Sequence, residues 1–206
     1  MPLRHLRTVF ERSSSSLGQT LPFRRTVGGT WVPTPLQALE RGCEALRHLG
    51  LLGAGAAPGH LIDAGSGDGR LPAFLSHLEP TREIHGIELD PALSALARDN
   101  LEALGRNGSV NLDRVHLIEG NYCDPLTYAG DGIDPQAVHI FFNYPDGNQA
   151  RLAQFVRGHA GRGTKLCILT HDRTLEIDEL ALEERQSVDV GDDQAWRLSI
   201  YGNDRE

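Results

Sequence analysis

The chain has 206 residues, with 28 Asp and Glu against 20 Lys and Arg, a formal net charge of -8 and a hydrophobic fraction of 39%. That length fits one domain with a sizeable core and excludes a large multidomain assembly; the apolar content excludes a wholly disordered chain. The acid excess argues against a general nucleic-acid binder, which needs basic surface for phosphates, and leaves a basic protein or a small molecule as the easier partner. Cys43, Cys123 and Cys167 form no CxxC pair, so neither a zinc knuckle nor a disulfide framework is expected, and a reducing, cytoplasmic setting is the simple reading. No apolar run reaches the roughly 18 residues that span a membrane, and no signal-peptide core follows the opening arginines.

Residues 1–30 read as an N-terminal arm, either partly ordered or folded over a substrate site as a flap. Ser13 to Ser16, Gly18, Gly28 and Gly29 interrupt any long period. Leu6, Val9 and Phe10 suit one amphipathic turn, while Phe23, Val27 and Trp31 are apolar bulk that a linker does not need. Residues 31–206 form the main domain. At its start Thr34 is the expected N-cap of a helix and Pro35 its first residue. Leu36, Leu39, Cys43, Leu46 and Leu49 then recur at helical steps up to a Gly-rich stretch over 53–59.

From residue 60 the pattern alternates. Strands are predicted at 60–64, 83–88, 115–118, 137–142 and 165–169, with helices at 70–78, 91–104 and 148–157 between them. The run over 137–142 is nearly all apolar, as a central strand buried on both faces would be. Two further strands, 182–190 and 195–201, flank the turn Gly191-Asp192-Asp193. Strands separated by helices and then a terminal hairpin imply an α/β fold: a mostly parallel Rossmann-like sheet, helices on both faces, and an antiparallel edge.

The sharpest local feature is Asp63-Ala64-Gly65-Ser66-Gly67-Asp68-Gly69-Arg70, directly after a strand and opening a helix. Gly65 and Gly67 allow close backbone approach to a ligand, and Gly69 close packing of the helix near the strand. The spacing is G-x-G-x-G rather than the dinucleotide G-x-G-x-x-G, and Asp68 is a poor neighbour for a pyrophosphate. A ligand with a positive centre and an amino-acid tail suits this acidic loop better. The next strand ends at Glu88, whose two oxygens can accept both hydroxyls of a ribose. After the third strand, Asn121 can bond an adenine edge and Tyr122 can pack along the ring. All three features fall at carboxyl ends of predicted strands, the edge where sheet ligands gather.

This ordered set resembles the class I S-adenosylmethionine-dependent methyltransferases. The resemblance covers roughly residues 31 to 201 and implies their seven-stranded sheet. It implies S-adenosyl-L-methionine as cofactor, with Asp63 and Asp68 holding the methionine part, Gly65, Ser66 and Gly67 beside it, Glu88 on the ribose, and Asn121 with Tyr122 at the adenine. Trp31-Val32-Pro33-Thr34-Pro35, followed by a helix and the glycine turn, further resembles the small non-SET protein-lysine methyltransferases. That likeness implies a lysine acceptor and places Trp31 and Thr34 at the border of the cofactor site. Asn143 and Tyr144 would then line the acceptor channel, although Phe142 stands where that family has an asparagine and Pro145-Asp146 replaces a small and aromatic pair. Asn143-Tyr144-Pro145 also resembles the N/D-P-P-Y/F motif of enzymes that methylate exocyclic or side-chain amide nitrogens.

Methyl transfer from a sulfonium needs alignment and exclusion of water. A lysine acceptor, with a reference pKa of about 10.4, must arrive neutral, which an apolar channel favours. His171, after the fifth strand, is the candidate general base. No HExxH or compact ligand cluster appears, so no metal is expected. Protein-lysine transfer is the first reading and a small-molecule O- or N-methyltransferase the alternative. Nucleic acid is disfavoured by the charge, no membrane is involved, and the protein is a monomer or homodimer.

Overall fold

The computed structural model describes residues 2–16, 24–27, 29–106, 108–171, 174–191 and 195–204; Gly18, Phe23, Gly28, Asp192 and Asp193, named above, lie outside the described residues. The N-terminal segment is a helix, α1 (Pro2–Ser16), followed by a two-stranded hairpin, β1 (Arg24–Thr26) and β2 (Gly29–Trp31). Where the sequence suggested a single amphipathic turn, α1 runs for 15 residues. Its Leu6 and Phe10 are almost fully buried and join the core of the main domain, and that burial secures a helix whose exposed half carries little intrinsic signal.

The next helix is α2 (Leu36–His48). Pro35, not Thr34, occupies its N-cap, with extended backbone and no side-chain cap. Thr34 precedes a proline, which disfavours helical backbone there. Then come β3 (His60–Ala64), α3 (Arg70–Leu78), β4 (Ile84–Glu88), α4 (Pro91–Arg106), β5 (Val115–Glu119) and a short helix that periodicity did not mark, α5 (Pro125–Gly130). It begins with Asp124, whose carboxylate accepts from the Leu126 N–H, and Pro125 at its first turn. The chain closes with β6 (Val138–Asn143), α6 (Gln149–His159), β7 (Lys165–Thr170), β8 (Ala181–Val188) and β9 (Trp196–Gly202).

The last seven strands form one sheet in the order β5-β4-β3-β6-β7-β9-β8. β9 runs antiparallel to both its neighbours, and the remaining pairs are parallel. Chain order reverses between β3 and β6, which opens a ligand crevice at their carboxyl ends. Every residue of β6 is buried, as its apolar run foretold. Its side chains alternate between two cores: Phe142 faces the layer containing α1, α2 and α3, and Phe141 the layer containing Tyr128 of α5 and Phe155 of α6. Gly69 serves a different purpose from the one expected. Its φ is +81°, and a Cβ there would come 3.1 Å from the Cβ of Ala97, so it admits α4 rather than a strand.

Candidate functional site

A cavity of about 570 Å³ lies at the carboxyl ends of β3, β4 and β6, within the range of small-molecule sites. Trp31, Thr34, Asp63, Gly65, Ser66, Asp68, Glu88, Asn121, Tyr122, Asn143 and Tyr144 all line it. The topology therefore gathers onto one surface residues that the sequence scatters over 114 positions, from 31 to 144. The β1–β2 hairpin roofs the cavity at two points. At one end a Cβ on Gly67 would lie 2.8 Å from Trp31 Cδ1, so the indole occupies the space that this glycine leaves open. At the other end a Cβ on Gly29 would lie 2.6 Å from the Asp146 carbonyl oxygen, and the Thr30 N–H points at that oxygen at 3.5 Å.

The glycine turn is tied to β4, since the N–H groups of Gly65 and Ser66 both donate to the Ile87 carbonyl, at 2.9 and 3.1 Å. Glu88 is fixed by two backbone donors, Gly67 N–H on Oε2 and Asp90 N–H on Oε1, each at 2.8 Å. Each oxygen keeps a lone pair for a ligand. Burial holds the Glu88 carboxyl above its usual range, against the pull of those N–H groups. Asp63 is more strongly affected: burial, then the charges of Glu88 and Asp68, push its carboxyl up to about 8. Ser66 Oγ is buried with no hydrogen-bond partner.

Asp68 behaves differently from Asp63, although the motif pairs them. Its carboxylate is fully buried and doubly bonded to Arg70, Nε to Oδ1 at 2.8 Å and Nη2 to Oδ2 at 2.6 Å. Arg70 also donates to the Thr34 carbonyl at 2.7 Å and stands over the Phe10 ring at 5.6 Å. One guanidinium thus binds the glycine turn, the segment before α2, and α1. Asn121 closes a local turn, its Oδ1 accepting from the Cys123 N–H at 2.9 Å.

Tyr122, next to Asn121 in the cavity lining, is tied by its hydroxyl to the turn after β6. Its hydroxyl donates to Asp146 Oδ2, and burial beside that carboxylate raises its pKa. Asp146 Oδ1 accepts from the Asn148 N–H at 2.9 Å and from Gln149 Nε2 at 3.2 Å. Asn143 is buried, its Nδ2 donating to the Ala64 carbonyl at 2.7 Å and its Oδ1 accepting from Gln149 at 3.3 Å. Asp146, Tyr122 and Asn143 all converge on Gly65, within 3.6 to 4.0 Å of where a Cβ would stand. Asp146 and Gln149 are the residues that motif matching passed over. The available signal was the carboxylate itself, in place of an aromatic in the turn after β6.

Tyr144 Oη lies 3.1 Å from His171 Nδ1, and burial raises the Tyr144 pKa. His171 is exposed, does not line the cavity, and meets Trp196 edge-on with ring centroids 5.3 Å apart. It therefore reaches the site only through the Tyr144 hydroxyl. With Asp63 held protonated up to about 8, three other carboxyl groups line the cavity, Asp68, Glu88 and Asp146, against two guanidiniums, Arg70 and Arg151. That balance favours a cationic ligand. Among the described residues no group of three or more His, Cys, Asp and Glu is placed to hold a metal, and no helix is long and apolar enough to cross a membrane.

No family model matches the chain. It is 32% identical over 83 residues to the release factor glutamine methyltransferase of Vibrio cholerae, covering 40% of this chain and 27% of that protein. It is 34% identical over 71 residues to the tRNA1(Val) (adenine(37)-N6)-methyltransferase of Porphyromonas gingivalis, covering 34% of this chain and 26% of that one. The chain thus spans about a quarter of the length of the curated relatives it matches. Among solved structures, the RNA methyltransferase of Salinibacter ruber in complex with S-adenosyl-L-homocysteine superposes with a TM-score of 0.59 at 20% identity, over 85% of this chain and 95% of that one. The chain has the fold of the class I S-adenosylmethionine-dependent methyltransferases. Two of these three proteins are named for RNA, so the expectation that an acidic composition sets nucleic acid aside does not stand. Net charge averages over a whole surface, whereas an acceptor meets one edge of it.

Proposed function

We propose that this protein is an S-adenosylmethionine-dependent methyltransferase acting on a small-molecule acceptor. The observation that carries the acceptor class is the roofed cavity: the hairpin presses on Gly67 at one end and on Asp146 at the other, which favours a compact substrate over a polymer. The cofactor fits the residues present. Glu88 offers two oriented oxygens for ribose hydroxyls, Ser66 Oγ is a buried group in want of a partner, and Gly65 leaves a gap without a Cβ. Asp63 is the carboxylate for the ammonium of the methionine tail. Asp68 serves that tail only indirectly, because Arg70 already neutralises it.

When bound, the cofactor supplies an electrophilic methyl group open to in-line displacement by the acceptor's nucleophile. The protein holds the acceptor by its hydrogens. Asn143 Oδ1 and Asp146 lie side by side, steadied by the same Gln149 amide, and accept an N–H or O–H from the attacking atom. Tyr144 forms a wall, kept in place by His171 and Trp196. The hairpin excludes water from the gap.

A second reading, transfer to an RNA base, is favoured by the relatives named for RNA. Labelled methyl from S-adenosylmethionine, followed into the small-molecule, RNA and protein fractions of a cell extract, separates the readings. Label in the small-molecule fraction, lost with Glu88→Ala, is expected. Label in RNA establishes the second reading, and label on protein lysine the one that the segment Val32 to Pro35 first suggested. Tight cofactor binding with no label in any fraction would overturn the enzyme reading.

A further inference from the structure

The two guanidiniums on the cavity lining are not equivalent. Arg70 is committed twice over, to the Asp68 carboxylate and to the Thr34 carbonyl. Arg151 lines the cavity from the first turn of α6 and is exposed. It makes no hydrogen bond or ion pair with any other described residue. Its neighbours fix which corner of the cavity it occupies. Asn148, three residues before it, donates its N–H to Asp146 Oδ1 at 2.9 Å. The charges of Arg151 and Asp146 both act on the Cys123 thiol, the first lowering its pKa and the second raising it. Arg151, Asp146, Asn148 and Cys123 all line the cavity, so the guanidinium shares a corner with one of the two groups that hold the acceptor's nucleophile. Asp146 does not neutralise it. That carboxylate accepts instead from Tyr122, Asn148 and Gln149.

From this arrangement we infer that the acceptor carries an oxyanion, a carboxylate or a phosphate, that Arg151 binds while the nucleophile of the same small molecule stays beside Asn143 and Asp146. The inference rests on the methyltransferase reading for the cofactor that shares the cavity. A guanidinium presents paired N–H groups that match two oxygens of one oxyanion. The methionine tail of the cofactor also carries a carboxylate, but on the carbon whose ammonium goes to Asp63 at the end of β3, where Ser66 Oγ is a buried donor without a partner. A lysine acceptor would bring a second cation toward a guanidinium that has no counter-ion, and like charges repel. An RNA strand presents a phosphate at every nucleotide and is held by several cations together, whereas Arg151 is the only cation on the described lining that Asp68 does not hold. A small amino acid, hydroxy acid or phosphate ester satisfies both groups, with its N–H or O–H on Asn143 and Asp146 and its anion on Arg151.

Benzoate, phenyl phosphate and the neutral benzamide are suitable probes, titrated by calorimetry and by ligand-observed NMR into protein saturated with S-adenosylhomocysteine, all at one ionic strength. At least one of the two anions should bind at a single saturable site, about tenfold or more tighter than benzamide, as a charge-assisted hydrogen-bonded pair gives. Tighter binding of benzoate assigns a carboxylate acceptor, and tighter binding of phenyl phosphate a phosphate. Arg151→Gln, an exposed change between two good helix formers, should abolish the preference for the anion while S-adenosylhomocysteine affinity stays within about twofold. Anions that bind no better than benzamide, or a preference that survives Arg151→Gln, overturn the inference. A loss of S-adenosylhomocysteine affinity in that variant gives the guanidinium to the cofactor and overturns it as well. Absence of S-adenosylhomocysteine binding by the wild type defeats the methyltransferase reading instead. The anion site is then judged by the same probes and the same variant in protein without that ligand.

Discussion

Asp63→Asn separates what the cofactor needs from what the fold prefers. The Asp63 carboxyl, with an ordinary value of 3.8, remains protonated in the folded protein up to about 8 because burial and two neighbouring carboxylates disfavour its charge. Between those values the folded chain holds a proton that the unfolded chain has released, so stability falls as pH rises through the window. At 1.36 kcal/mol for each tenfold change, the cost is about 4 kcal/mol at pH 7 and about 2 kcal/mol at pH 5. Asparagine carries no such cost. The variant should be the more stable protein by roughly those amounts, measured by urea unfolding at the two pH values. Cofactor binding should move the opposite way. At pH 7 about nine-tenths of Asp63 is protonated if its pKa is near 8, and pairing with an ammonium ionises it. Calorimetry in two buffers of different ionisation heat should therefore show release of up to about 0.9 proton per cofactor bound by the wild type. This pH lies below the α-amino range of about 7.7–8.0. Asp63→Asn should release almost none and bind more weakly. Equal proton release from the two proteins, or no gain in stability, would refute the reasoning.

Gly67→Ala places a side chain at φ +54°, a region costing an L-residue about 1–2 kcal/mol, and drives its Cβ into Trp31. Combined with Trp31→Ala it should retain only the backbone part, about 1–2 kcal/mol below Trp31→Ala alone; a double variant no better than the sum of the singles would mean that the indole does not sit there. Arg70→Met strips the fully buried Asp68 carboxylate of its bidentate partner and should cost about 3–5 kcal/mol, partly recovered by Asp68→Asn in the same chain. His85, in the middle of the row His60, His85 and His116, is held neutral down to about 4 by burial and then by the charges of its two neighbours, opposed only by Glu83. The unfolded chain takes up that proton near 6.5, so stability is lost as pH falls through the window. Between pH 7 and 5 the loss is about 2 kcal/mol. His85→Gln should flatten it. The slope is opposite in sign to that of Asp63, so each is read as variant against wild type.

Much of the framework was legible one residue at a time. The apolar run over 137–142 foretold a strand buried on both faces, and β6 is that strand. The glycine turn, Glu88 and Asn121 were expected at strand ends; Gly65, Ser66, Glu88 and Asn121 line one cavity, whereas Gly67 and Gly69 instead face Trp31 and Ala97. Periodicity reports which side of an element is apolar, and turn residues report where it stops; both are local properties of the chain. Neither reports what covers the apolar side or which group answers a polar one. Leu6 and Phe10 looked like one turn because their burial depends on a face of α3 and α4 that the arm itself does not encode. Asp63 and Asp68 stand five residues apart in one acidic loop, yet one is left facing the cavity and the other is neutralised by Arg70. That the Tyr122 hydroxyl reaches Asp146, in another strand's turn, has no counterpart in the local sequence. The sequence alone determined an α/β sheet with a cofactor-type turn at its edge. Tertiary structure alone decided which of the two aspartates Arg70 neutralises, where Trp31 rests, and which carboxylate Tyr122 meets. Those outcomes depend on side chains that meet only once the sheet is wound and its helices are laid on it.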